Sequence, residues 1–178
     1  MTTPSHGQLA EYLRCLIYDL NVLATSTEKM ITEADDRIVE AYKTAALVKL
    51  RTVYDFFHRP KASDSIKLQF FQAYAPTVSA QRTQNWDQWL THQSINTYVV
   101  HLDIGRVSKI VAQPKFSQGE RAVLRTAVAL MNDAREFVDS VVANQDFVGL
   151  NDFGNRWREQ FIDTLTRLNT IIADNGPT

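Results

Sequence analysis

Apolar residues recur in steps of four and three from the ninth position onward, at Leu9, Leu13, Leu16, Leu20 and Leu23. At about 100° per residue this spacing draws one apolar stripe along a helix. Thr25, Ser26 and Thr27 are poor helix formers, and they predict an interruption before Met30 and Ile31. Asp35 and Asp36 then put acidic groups where a helix N-terminus attracts them, and the stripe behind them reads Ile38, Tyr42, Ala45, Ala46, Leu50, Val53 and Phe57. A second row, Val39, Leu47 and Tyr54, predicts that this helix is buried more deeply than the first. Pro60 stops it near His58, because proline lacks the backbone donor and disfavours helical geometry in the residue before it.

The pattern loosens over residues 60–93, an irregular connection holding a short apolar helix around Ile66 to Tyr74, then Pro76 and a polar stretch with Trp86 and Trp89. Connections of this length are often functional; one anchored by two tryptophans also suits a packed loop. A third long helix is expected from Ser94, with Val100, Ile104, Val107 and Val111 in phase and Pro114 at its end. Ser117 and Glu120 have capping-box spacing, which predicts a helix start at the serine. Leu124, Ala127, Met131, Ala134, Val138 and Val141 form the stripe behind it, broadened by Val123, Leu130 and Phe137, to about Asn144. After Gly149 the last helix carries Phe153, Trp157, Phe161, Leu165, Leu168 and Ile172 and ends before Asn175, Gly176 and Pro177.

No alternating pattern of useful length competes, so the expectation is an all-α protein: an antiparallel bundle of four to five long helices forming a single domain over residues 1–178. One shared core should hold Leu50, Val53, Phe57, Val138, Trp157, Phe161 and Leu165. A chain of 178 residues, 44% hydrophobic and 22% charged, is long enough to bury that core without disulfides or metal. Cys15, the single cysteine, sits within the apolar pattern and is expected to be a core thiol; a lone cysteine excludes an internal disulfide and fits a reducing compartment. The first residues lack a signal peptide's basic start and apolar run, no run approaches the length of a membrane span, and a cytoplasmic protein is the expectation.

Charge and chemistry narrow the function. Lysine and arginine number 19 against 20 aspartates and glutamates, so no overall positive field collects nucleic acid, and any RNA contact must come from a local patch. His6, His58, His92 and His101 have no metal-ligand spacing, the glycines form no phosphate-cradling loop, and no nucleophile elbow appears; neither a metal nor a cofactor is expected. Two groupings remain. His101 shares a helical face with Ser94, Thr97, Gly105 and Ser108, a stripe of small side chains with room for a ligand or a closely approaching helix beside an imidazole that titrates near neutral pH. Arg51, Asp55 and His58 share a face near the end of the second helix, suited to phosphate or to an ordinary surface ion pair.

Two segments, LVKLRTVYDFFHRP from Leu47 to Pro60 and SINTYVVHLDIGRV from Ser94 to Val107, resemble uncharacterised bacterial proteins of the HEPN-like class. The first carries Leu-x-x-x-Arg-x-x-x-Asp-Phe-Phe, Leu47 to Phe57; in the second Asn96 stands five residues before His101, with Leu102, and Arg106 stands five after it. The resemblance implies a helical bundle, often dimeric, whose catalytic members are metal-independent ribonucleases that use an arginine, four to six variable residues and a histidine. On that reading His101, Asn96 and Arg51 are the catalytic candidates, and Arg106, Asp55, Ser94, Thr97 and Tyr98 the ligand-binding ones. Chemically, a cation would stabilise phosphate charge while imidazole moves a proton and the ribose 2′-hydroxyl attacks. Ser94 stands where the resemblance wants arginine and carries no charge for that task. The expectation is therefore a noncatalytic or regulatory member of a toxin or defence-type system that binds RNA or a nucleotide, as a homodimer packed through the small-residue stripe. An attenuated ribonuclease using His101, and an interaction bundle that holds a protein partner through its tryptophan loop, are the alternatives.

Overall fold

The computed structural model describes residues 4–58, 68–76, 116–147 and 149–174. These contain four long helices: α1, His6–Thr32; α2, Asp36–His58; α3, Phe116–Ala143; and α4, Asp152–Asp174. A short 3-10 turn, Leu68–Phe71, lies within the apolar segment expected at Ile66 to Tyr74. None of these helices is long and apolar enough to cross a membrane. The expected helix from Ser94 to Pro114 and the Trp86 and Trp89 stretch lie outside the described residues.

Helix α1 starts on a capping box. The Ser5 side chain accepts from the Gln8 N–H while the Gln8 side chain accepts from the Ser5 N–H at 2.8 Å, so two backbone donors at the helix start are satisfied reciprocally. The helix expected to start at Ser117 is α3, whose first described residue is Phe116. The expected interruption at Thr25 to Thr27 is absent. Thr27 Oγ1 donates to the Leu23 carbonyl at 2.7 Å, so its hydroxyl is satisfied within the helix, and Ser26 and Thr27 are carried into the interior.

The directions of the helices follow from their cross-links. Three connecting residues, Glu33 to Asp35, turn α1 into α2, and Lys49 Nζ reaches back to Asp19 at 2.5 Å, so these two form a hairpin. Arg158 on α4 meets Asp139 on α3 at 2.5 Å, and farther along Asn169 and Asn132 exchange amide hydrogen bonds at 3.0 and 3.1 Å, so α3 and α4 form a second hairpin. Between α1 and α4 the numbers rise together, since Arg14 lies over Trp157, Asn21 donates to Gln160 and Glu28 accepts from Arg167. Those two helices run the same way, and so α2 and α3 share the opposite direction.

Helix α1 touches all three other long helices and supplies Leu9, Leu13, Leu16, Ile17, Leu20, Leu23 and Ala24 to the core. This reverses the expectation that α2 is the more deeply buried: Ile38 is 43% exposed, and Val39, Leu47 and Tyr54 are only half-buried. Two hydrophobic rows of comparable breadth do not reveal which helix is central, because that depends on how many neighbours each one has. Of the expected core set, Leu50, Val53, Phe57, Val138, Phe161 and Leu165 are buried, and Trp157 packs half-buried against them. Cys15 is exposed, contrary to the core placement expected of it. It lies about 100° around the helix from Arg14 and well off the stripe of Leu13, Leu16 and Leu20.

One end of the bundle is closed by aromatic rings. Phe56, Phe57, Phe71 and Phe137 lie with centroids 5.0 to 6.0 Å apart, mostly edge to face. The 3-10 turn places Phe71 there, and Tyr74 just beyond it lies 5.5 Å from Phe147 and shares a 3.3 Å hydrogen bond with His6. At the other end, Arg167 clamps Glu28 through Nε at 2.5 Å and Nη2 at 3.1 Å. The hydrogen bonds from Arg167 hold the Glu28 carboxyl below the ordinary glutamate range. A depressed carboxylate stabilises the fold above its unfolded-state pKa, and that contribution is lost as pH falls through the folded value. Arg167→Met should therefore lower stability by up to about 1 kcal/mol at neutral pH, with the gap from wild type closing below about pH 4. Paired denaturant titrations across pH measure it; a gap that does not change with pH would remove the charge from the explanation.

Candidate functional site

The segment from Leu47 to Phe57 lies wholly on α2, and its residue types divide by face. Leu50, Val53 and Phe57 face the core, while Arg51 and Asp55, one turn apart, stand at its margin. Arg51 Nε lies 3.7 Å from Asp55 Oδ2, and the two side chains are 28% and 29% exposed. Both are reachable from solvent, and a guanidinium can bind a phosphate through two parallel N–H···O bonds.

His58 is the last residue of α2. His101, Asn96, Arg106, Ser94, Thr97 and Tyr98 fall outside the described residues, as do Gly105 and Ser108. Arg51 and Asp55 are thus the two candidate residues brought together here, and the pairing matches the helical spacing of their positions.

A second constellation, across α1, α2 and α4, was not anticipated. Tyr18 and Trp157 lie 5.0 Å apart and Phe153 lies 6.5 Å from Trp157, forming a run of three rings over the seam between the parallel helices. Each ring carries a cation: Arg14 lies 5.6 Å from the Trp157 centroid, Lys49 5.5 Å from that of Tyr18, and Arg156 5.1 Å from that of Phe153. Gly154 lies against α1 here, where an added β-carbon would stand at ordinary contact distance, 3.5 Å, from Arg14 Cγ and closer, 3.2 Å, to Leu150 Cβ just before the helix. Arg14 is also held by Glu11, whose carboxyl is pushed down by that hydrogen bond, and Lys49 by Asp19. Arg156 is different, being exposed and in no ion pair among the described residues.

Part of this ridge has a local signal. Arg14 and Tyr18, like Phe153 and Trp157, are spaced by four, so each pair shares a helical face. The apolar stripe expected of α4 begins at Phe153, yet Phe153 is 60% exposed. It occupies the first turn of α4, where the helix has only begun to pass over α1. What no single-helix pattern discloses is that two aromatic rows meet, because this depends on α1 and α4 running in the same direction. No protein-family model matches the chain, and no curated protein or solved structure matches it either.

Proposed function

We propose that this chain is a HEPN-like helical bundle that binds RNA or a nucleotide in a regulatory role, within a bacterial toxin or defence-type system, and does not cut what it binds. The observation that carries the reading is the placement of Arg51. In the Leu-x-x-x-Arg-x-x-x-Asp-Phe-Phe segment Leu50 and Phe57 are buried, whereas Arg51 stays partly exposed beside Asp55. A rigid apolar anchor carrying a solvent-reachable arginine suits a phosphate-binding segment.

Binding without cleavage follows from Ser94. Phosphoryl transfer to the 2′-hydroxyl develops negative charge that a hydroxyl side chain stabilises far less than a guanidinium does. His101 retains the capacity to move a proton but lacks a cation at the adjoining position of the motif. A homodimer through the stripe of Ser94, Thr97, Gly105 and Ser108 belongs to the same proposal.

The test is incubation of the purified protein with total RNA, with His101→Ala in parallel, reading both retention of RNA by the protein and the length of what is recovered. RNA retained at full length by both proteins is the expected result. Cleavage abolished by His101→Ala would replace this reading with that of an attenuated ribonuclease; no retention at all would leave a bundle that serves protein contacts.

A further inference from the structure

We infer that the ridge of Tyr18, Trp157 and Phe153 with Arg14, Lys49 and Arg156 is a stacking platform for single-stranded RNA, carried more by its rings than by its charge. This rests on the reading that RNA is the ligand and adds to it a second surface that does not include Arg51.

The overall charge of the chain is −1, so nucleic acid can be held only where cations are gathered locally. The ridge gathers three, and places them on rings. Single strands are held by two elements together, aromatic faces on which unpaired bases stack and cations that follow the phosphates; arginine planes also accept a stacked base. Both elements are present across α1, α2 and α4 in one continuous surface. Phe153 is 60% exposed and Tyr18 is 45% exposed, so although a cation lies over each ring, neither is enclosed. Tyr12, Ile38 and Val48 are exposed to a degree similar to Tyr18, so what distinguishes the ridge is that its rings adjoin one another and each lies against a cation.

An apolar partner is a poor fit for this surface. Covering it with hydrocarbon would strip water from Arg14, Lys49 and Arg156 without supplying counter-charge to Arg156, a costly exchange. A duplex is also a poor fit, since its bases are stacked on each other and unavailable to the rings. A single strand supplies flat faces for Tyr18 and Phe153 and a phosphate for Arg156.

The ion pairs set the character of the binding. Two of the three cations already have carboxylate partners, Glu11 and Asp19, leaving Arg156 as the one ready phosphate contact. For single strands each neutralised phosphate contributes about 0.7 to the slope of log affinity against log salt. The expected slope is therefore shallow, between about −0.7 for Arg156 alone and about −2 if all three cations engage. A site held by charge alone would respond much more steeply.

The experiment is fluorescence anisotropy of a labelled oligouridylate titrated with the full chain, over a range of salt, with the matching RNA duplex as competitor. Phe153→Ala and Arg156→Gln alter exposed positions, and circular dichroism checks that both variants remain folded. The expected result is a shallow salt slope, weak competition by duplex, and a loss of affinity of roughly five- to a hundred-fold for Phe153→Ala. Arg156→Gln should weaken binding less and flatten the slope by about 0.7. Arg51→Gln, run beside them, separates this inference from the reading beneath it. If Arg51→Gln weakens binding while Phe153→Ala and Arg156→Gln do not, the ridge is overturned and the RNA-binding reading stands. If the wild-type chain binds no oligouridylate, the RNA reading fails and takes the ridge with it.

Discussion

Replacing Phe161 by alanine is expected to destabilise the protein by roughly 3–5 kcal/mol, a large share of the 5–15 kcal/mol typical of a domain. Phe161 is fully buried midway along α4, in the same core as Leu13, Ile17 and Leu20 of α1 and Leu165 of its own helix. Truncation removes the ring's contacts and leaves a cavity that rigid helices on either side cannot fill by moving. For a chain of this size each kcal/mol corresponds to about 2–4 °C, so the thermal midpoint should fall by about 10 °C. Phe153→Ala on the same helix provides the contrast, since an exposed ring has little core contact to lose and the midpoint should move by no more than about 2 °C. Equal shifts for the two variants would mean that the assigned face of α4 is wrong.

The second large effect is at the aromatic end of the bundle. Phe71 and Phe137 are both fully buried, with centroids 5.5 Å apart at 89°, although one belongs to a 3-10 turn and the other to α3. Phe71→Ala and Phe137→Ala should each cost about 3–5 kcal/mol. The double variant should cost less than the sum, because either substitution alone already removes the contact between the rings. The expected coupling is about 0.5–1.5 kcal/mol, the usual size of an edge-to-face pair beyond its area. Urea titration of the wild type, both single variants and the double variant gives this number. Strict additivity would show that the two rings act on separate parts of the core and that the turn does not close this end.

Helix faces were legible in the sequence because their signal is local. Leu13, Leu16 and Leu20, then Ala127, Met131 and Ala134, then Phe161, Leu165 and Leu168, sit where their spacing places them, and all are buried. Errors arose where the deciding contact came from elsewhere in the chain. The threonines and serine at Thr25 to Thr27 are unfavourable by propensity, yet α1 is continuous and the surrounding core buries Ser26 and Thr27. The burial of α1 above α2 depends on α1 having three helical neighbours, which no pattern within α1 reports.

The candidate site was legible only in part. The Arg51 and Asp55 pair follows directly from a spacing of four on α2 and is present at 3.7 Å. The ridge needed two helices to run in the same direction, which no pattern within either helix reports. Of its rings, Trp157 was expected in the core and Phe153 on the apolar stripe of α4, because hydrophobic spacing does not distinguish a ring at the first turn of a helix, such as Phe153, from one at its middle, such as Phe161.

The central claim is that the chain holds RNA and leaves it intact, and one measurement addresses both halves. A single-stranded RNA labelled at one end is titrated with wild-type protein at about 0.1 M salt, without metal, until binding saturates, and the RNA is then recovered and its length read on a denaturing gel. The account predicts a saturable isotherm and RNA of undiminished length. A flat titration, or RNA shortened in proportion to the protein added, would contradict it.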